Sequence, residues 1–237
     1  GANAWWSSDI AMGWKAQAGL STDTNNAGNI AIGQNASASG GSATAIGVAS
    51  TATNFGVAMG LSSSATGSNS VALGYNTKAS SGQTAALGYA AQATGLDATA
   101  LGYGSTASAQ ETLAVSHGAV ASAAQATAVG YKASASALNA LAIGAGDATN
   151  PGAVAAGQYS IAEGYKASTD TTSNSGIAIG NGAALTGAPN GIAVGTGAAS
   201  LGANSVGIGS SGTASGSGNL KNPRSIAYSA MSPISVG

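Results

Sequence analysis

The sequence predicts an all-β fold: a parallel β-roll, or solenoid, wound from 14-residue coils of two short strands each. Three observations predict it. A Gly-terminated pentad recurs at intervals of 14 residues, with one of 13, between Gly33 and Gly144. Side-chain size alternates with period two on both sides of that Gly, the signature of a strand. And a Gly in every coil would cost a helix about 1 kcal/mol each time relative to Ala.

The pentads read NIAIG, ATAIG, GVAMG, SVALG, TAALG, ATALG, TLAVS, ATAVG and ALAIG, ending at Gly33, Gly47, Gly60, Gly74, Gly88, Gly102, Ser116, Gly130 and Gly144. A large residue always precedes the last position: Ile32, Ile46, Met59, Leu73, Leu87, Leu101, Val115, Val129 and Ile143. Before it always stands Ala: Ala31, Ala45, Ala58, Ala72, Ala86, Ala100, Ala114, Ala128 and Ala142. After the Gly comes a second strand with small residues three and five positions on, such as Thr77 and Ala79 or Ala91 and Ala93. The Gly marks the turn between strands, where positive φ or a close backbone approach is needed.

Coils stacked in register place parallel strands about 4.8 Å apart. The large aliphatics are expected to pack against the small face of the second strand. Such a core is thin. One or two aliphatics per coil, each worth roughly 1.5–3 kcal/mol when buried, face a backbone entropy cost of about 1–2 kcal/mol per residue. Further burial between chains is therefore expected, and the Ala column suits close approach. Ala72, Ala86, Ala100, Ala114 and Ala128, with Leu73, Leu87, Leu101, Val115 and Val129, are the candidates for trimer or core packing. The pattern leaves open which face fills the roll and which meets another chain.

Four segments follow in order. Residues 1–28 hold a first repeat, DIAMG ending at Gly13, with the excess TDTNN at 22–26, and Trp5, Trp6 and Trp14 as an expected cap on the open sheet end. Residues 29–144 are the regular repeats. Residues 145–218 continue with insertions: VAAG, IAEG, IAIG, IAVG and VGIG end at Gly157, Gly164, Gly180, Gly195 and Gly209, and 147–151 and 168–175 are expected to protrude as loops. Residues 219–237 form a C-terminal segment. The chain opens on Gly1 without a signal-peptide pattern and is expected to be an excised part of something longer.

Composition narrows function. With 6 Lys and Arg, 7 Asp and Glu and a net charge of −1, there is no basic patch for nucleic acid or an anionic membrane surface. No Cys is present, so disulfide and thiol chemistry are excluded. No stretch approaches the roughly 18 apolar residues of a membrane span. No catalytic, cofactor or metal residues are expected.

One column stands out. The residue after the repeat Gly is Tyr75, Tyr89, Tyr103, His117 and Tyr131 in five successive coils. Stacked coils make these a ladder, either stabilising or exposed as a candidate ligand contact. His117, the single His, takes a ladder position rather than a catalytic one. Asp97 and Glu111 share a repeat position with Gln83, Gln125 and Asn139, which describes a solvated edge rather than an acid–base pair. Lys78, Lys132 and Lys166 are expected early in second strands, facing outward.

SVALG (70–74), NIAIG (29–33) and GIAIG (176–180) at this spacing resemble the YadA-like head of trimeric autotransporter adhesins, over nearly the whole chain. The resemblance implies a left-handed parallel β-roll, two identical partner chains in a homotrimer, and a non-catalytic role. It implies attachment to host cells or extracellular-matrix protein, with autoagglutination, a part in virulence, and an outer-membrane anchor outside this segment. SPISVG (232–237) resembles the passage into a neck. Ser116, Ala156, Glu163 and IAYS (226–229) depart from the repeat pattern. Hexapeptide acyltransferases, GGxGxD calcium repeats and Thr-array ice-binding solenoids have other periods or motifs. The rival reading is a structural spacer that only projects a distal binding tip.

Overall fold

The computed structural model describes residues 1–20, 28–215 and 226–228 of the 237-residue chain. All regular structure in these residues is strand. The chain divides into two compact units, Gly1–Gly118 and Ala119–Gly237. Each is a parallel β-solenoid of two sheets. One sheet gathers the first strands of successive coils and the other gathers the second strands.

Register follows the repeat. In the first unit Val71–Leu73 pairs in parallel with Ala85–Leu87, placing Val71 opposite Ala85, Ala72 opposite Ala86 and Leu73 opposite Leu87. The second strands Lys78–Ala79 and Gln92–Ala93 pair likewise. In the second unit Ile177–Ile179 pairs with Ile192–Val194, Ala178 opposite Ala193.

Each coil turns at two corners, and both carry left-handed residues. Two positions after the repeat Gly, Asn35, Ala49, Asn76 and Ala90 have φ of 51–56°. Nine positions after it, Asn69, Gln83, Asp97 and Glu111 have φ of 55–57°. Such angles are uncommon outside Gly and cost roughly 1–2 kcal/mol each. They recur because they aim an amide along the stack. Asn76 N donates to Leu61 O at 2.9 Å and Glu111 N to Leu96 O at 2.8 Å. The repeat Gly is required by contact as well as by angle. Gly74 has φ 131°, and a Cβ there would lie 2.3 Å from Gly88 O.

The interior is built of methyls and hydroxyls. Four residues per coil point inward, for example Ala72, Thr77, Ala79 and Thr84, all essentially inaccessible to solvent. The hydroxyls are satisfied locally. Thr77 Oγ1 donates to Gly74 O at 3.2 Å and Thr84 Oγ1 to Ser81 O at 2.8 Å.

The structure corrects several expectations. The large aliphatics do not pack against the second strand: Leu101 is 45% exposed while Ala100 beside it is wholly buried. Two facing strands of two or three residues, closed by tight corners, leave room for Ala but not Leu. VAAG is no first strand. Val154–Ala155 pairs with Ser134–Ala135 and Ser168–Thr169 in the second-strand sheet, so the coil from Gly144 to Gly164 is 20 residues long. The 168–175 stretch does not simply protrude, because Ser168–Thr169 is strand and Thr169 and Ser173 are buried. Lys132 and Lys166 lie at the first corner with φ of 55°, not in second strands. Trp6 alone of the three tryptophans is drawn in beside Gly19, whereas Trp5 and Trp14 stay exposed. The 22–26 insertion and SPISVG lie outside the described residues.

Candidate interaction surface

Because Ala takes the interior, the alternate residues of every first strand point out of the roll. In the first unit they form two columns, with Ile30, Thr44, Val57, Val71, Ala85, Thr99 and Leu113 in one. Ile32, Ile46, Met59, Leu73, Leu87, Leu101 and Val115 make the other, and every side chain in both is partly or fully exposed. With Ile10–Met12, which pairs with Ile30–Ile32, the eight first strands of this unit cover a face of about 10 Å by about 34 Å at ordinary strand spacings. That face carries no charge. The opposite sheet presents Ser64, Lys78, Gln92 and Thr106 outward instead. One side of the roll is therefore apolar and the other polar. Lone soluble chains rarely expose a contiguous apolar patch beyond a few hundred Å².

The aromatic column borders the apolar face. Tyr75 and Tyr89 stack at 4.9 Å between ring centroids, and Tyr89 and Tyr103 at 4.8 Å and 5° between planes. His117 meets Tyr103 at 4.5 Å, tilted by 58°. These spacings reproduce the strand separation, so the rings satisfy one another's faces and show their edges and hydroxyls. The three Tyr remain about half exposed. Tyr131, in the second unit, carries the Lys132 ammonium 5.2 Å from its ring centroid.

The second unit adds a built loop at residues 146–151. Asp147 organises it: its Oδ1 accepts from Thr149 N at 2.8 Å and Asn150 N at 2.7 Å. The Tyr165 hydroxyl donates to Oδ2, and Lys132 Nζ donates to Ala148 O at 2.9 Å. The Tyr165 hydroxyl, then the Asn150 side chain and backbone, hold the Asp147 carboxyl well below the usual carboxylate range. The same bond pushes the Tyr165 phenol up. Asp170 holds a second corner. Partial burial works against its charge, but donors from Ser173, Gly187 and Thr172 outweigh it and keep the carboxyl low. Asp97 and Glu111 are exposed corner residues. Among the described residues no three His, Asp or Glu side chains converge as metal ligands would.

The model of the family described as "YadA head domain repeat (2 copies)" matches residues 30–50, 55–77, 79–105, 93–115 and 121–146. Residues 30–146 are a YadA-like head domain. The YadA head repeat thus coincides with the coil seen here, its pentad forming the first strand and its Gly the first corner. No curated protein matches the chain. Two features escaped the sequence. The paired left-handed corners are hidden because Asn, Ala, Gln, Asp and Glu all occupy them, although the frequency of Asn there is a signal. The sequence predicts the loop at 147–151 but hides the bond that pins Asp147 from outside it, which comes from Tyr165, 18 residues away.

Proposed function

We propose that this chain is the non-catalytic binding head of a bacterial surface adhesin, working as a homotrimer. It attaches the cell to host cells or extracellular-matrix proteins, with autoagglutination as a second consequence. The observation that carries the reading is the uncharged, mainly aliphatic face of the first unit's first-strand sheet on a roll whose own core is full. Three copies turning those faces toward a common axis would bury them and leave the polar second-strand sheets outside. The family match supports the adhesin class.

The test measures the mass of the purified 237-residue chain by light scattering, alongside its binding to immobilised matrix proteins and cultured cells. A mass three times that of the 22.0 kDa chain, with saturable binding to at least one surface, is expected. A monomer that binds nothing would overturn the reading. Deleting 147–151 separately from a block of regular coils divides head from spacer. If only the loop deletion abolishes binding, the coils serve as a spacer.

A further inference from the structure

Glu163 breaks the pattern of its column. In Ile161–Glu163 it stands in register between Ile143 and Ile179, at a position held elsewhere in the second unit by Val129, Val194 and Ile208. Its side chain is exposed, as theirs are at least in part, and it is the one charged group among the described outward residues of that unit's first-strand sheet. No titratable side chain comes from the flanking strands Leu141–Ile143 and Ile177–Ile179, or from the first corners at 144–146 and 180–182. Its own corner brings Tyr165 and Lys166. Tyr165 is committed to Asp147, and the Lys166 ammonium lies 5.9 Å over the Tyr165 ring. Lys132 is committed to the Ala148 carbonyl.

We propose that in the assembled protein the three copies of Glu163 meet as a carboxylate layer inside an otherwise apolar interface, so that assembly is weakest at neutral pH and tightens on acidification. This rests on the reading that the first-strand face packs against sister copies. Rotational symmetry puts equivalent residues at one height around the axis, so one Glu per chain becomes three. The layers on either side, about 4.8 Å away, offer only aliphatic carbon. Like charges gathered in a poorly hydrated layer favour the neutral form. Assembly then takes up protons, and its strength is greatest in acid and lost as pH rises, by up to about tenfold per pH unit for each carboxyl that titrates on assembly.

Sedimentation equilibrium of the whole chain and of Glu163→Gln and Glu163→Ile, at pH 5.0 and 7.5, tests this. Where dissociation is too weak to detect, the concentration-dependent melting temperature replaces it. The unaltered chain is expected to assemble at least ten times more tightly at pH 5.0. Both variants should match or exceed that strength at pH 7.5 and respond little to pH. All other side chains are common to the three proteins, so their contribution cancels in the comparison. An assembly whose pH response survives unchanged in Glu163→Gln overturns the carboxylate layer and leaves the trimer standing. A chain that is monomeric at both pH values overturns the trimer reading itself.

Discussion

The coils between Gly60 and Ser116 and those between Gly144 and Gly195 solve one problem under different constraints. The first run keeps 14 residues per turn, while the second uses 20, 16 and 15. Strand register is the same in both. Leu141 pairs with Ile161 across the 20-residue coil as Val71 pairs with Ala85 across a 14-residue one. Length is absorbed at the corners, where chain can leave the roll without breaking a ladder.

Corner length also sets what the interior can hold. In the coils between Gly60 and Ser116 the slot five after the Gly is always Ala, as in Ala79, Ala93 and Ala107, each fully buried. In the 16- and 15-residue coils the same slot holds Thr169 and Leu185, both buried. Leu185 packs with Ala178, Ala183, Ala188, Ala193 and Ala198. Added circumference at the second corner makes room for a larger side chain.

That contrast can be broken from either side. Ala100→Leu places an isobutyl group in a regular coil with no space for it. Overpacking ordinarily costs about 1–3 kcal/mol, and here the surrounding interior is already filled by small buried side chains such as Ala86, Ala107 and Ala114, so loss of the folded first unit is expected by circular dichroism. The damage falls on the fold of the chain itself, since Ala100 faces inward. Leu185→Ala should cost about 2–5 kcal/mol through the cavity it leaves, read as a lower urea midpoint. Leu185→Ala combined with removal of one residue at its second corner should recover part of that loss. Equal tolerance of Leu at positions 100 and 185 would sink the link between coil length and core size.

The sequence carried the repeat, the strand period and the turn Gly, because each is a local property of spacing. It could not say which face of the first strand points inward. Period two divides residues into two faces without ranking them, and the habit of placing Leu inside and Ala outside fails when the space between sheets is one methyl deep. The VAAG segment misled for a related reason. Val154 and Ala155 alternate like a first strand, and only their pairing with Ser134 and Ser168 assigns them to the other sheet. The aromatic ladder was legible because stacking follows directly from register.

A smaller effect sharpens the regular run. Ser116 occupies a Gly position and is held at φ 101° while its amide donates to Leu101 O at 2.7 Å. Backbone strain of this kind costs about 1–3 kcal/mol, and Gly returns about 0.5–1 kcal/mol of that as unfolded-chain entropy. Ser116→Gly should therefore raise stability by about 1 kcal/mol in urea unfolding. A loss would mean that the Ser side chain makes a contact worth more than the strain.

The smallest effect belongs to the inserted loop. Asp147 is exposed, and its bonds compete with water, so its influence stays within residues 146–151 and Tyr165. Its carboxyl is held below the ordinary range by Tyr165 and Asn150. The sign follows: loop order is complete above the unfolded Asp value of about 3.9 and is lost as pH falls through the depressed folded value. The Thr149 and Asn150 amide resonances should therefore hold their positions from neutral pH down past that value and shift only on stronger acidification. In Asp147→Asn the charged acceptor is gone at every pH, and the same resonances should lie near their disordered positions throughout, with global stability unchanged. Amide shifts that move in step with an ordinary carboxylate would mean the loop is held by its backbone alone, and the corner would then owe its shape to chain length rather than to Asp147.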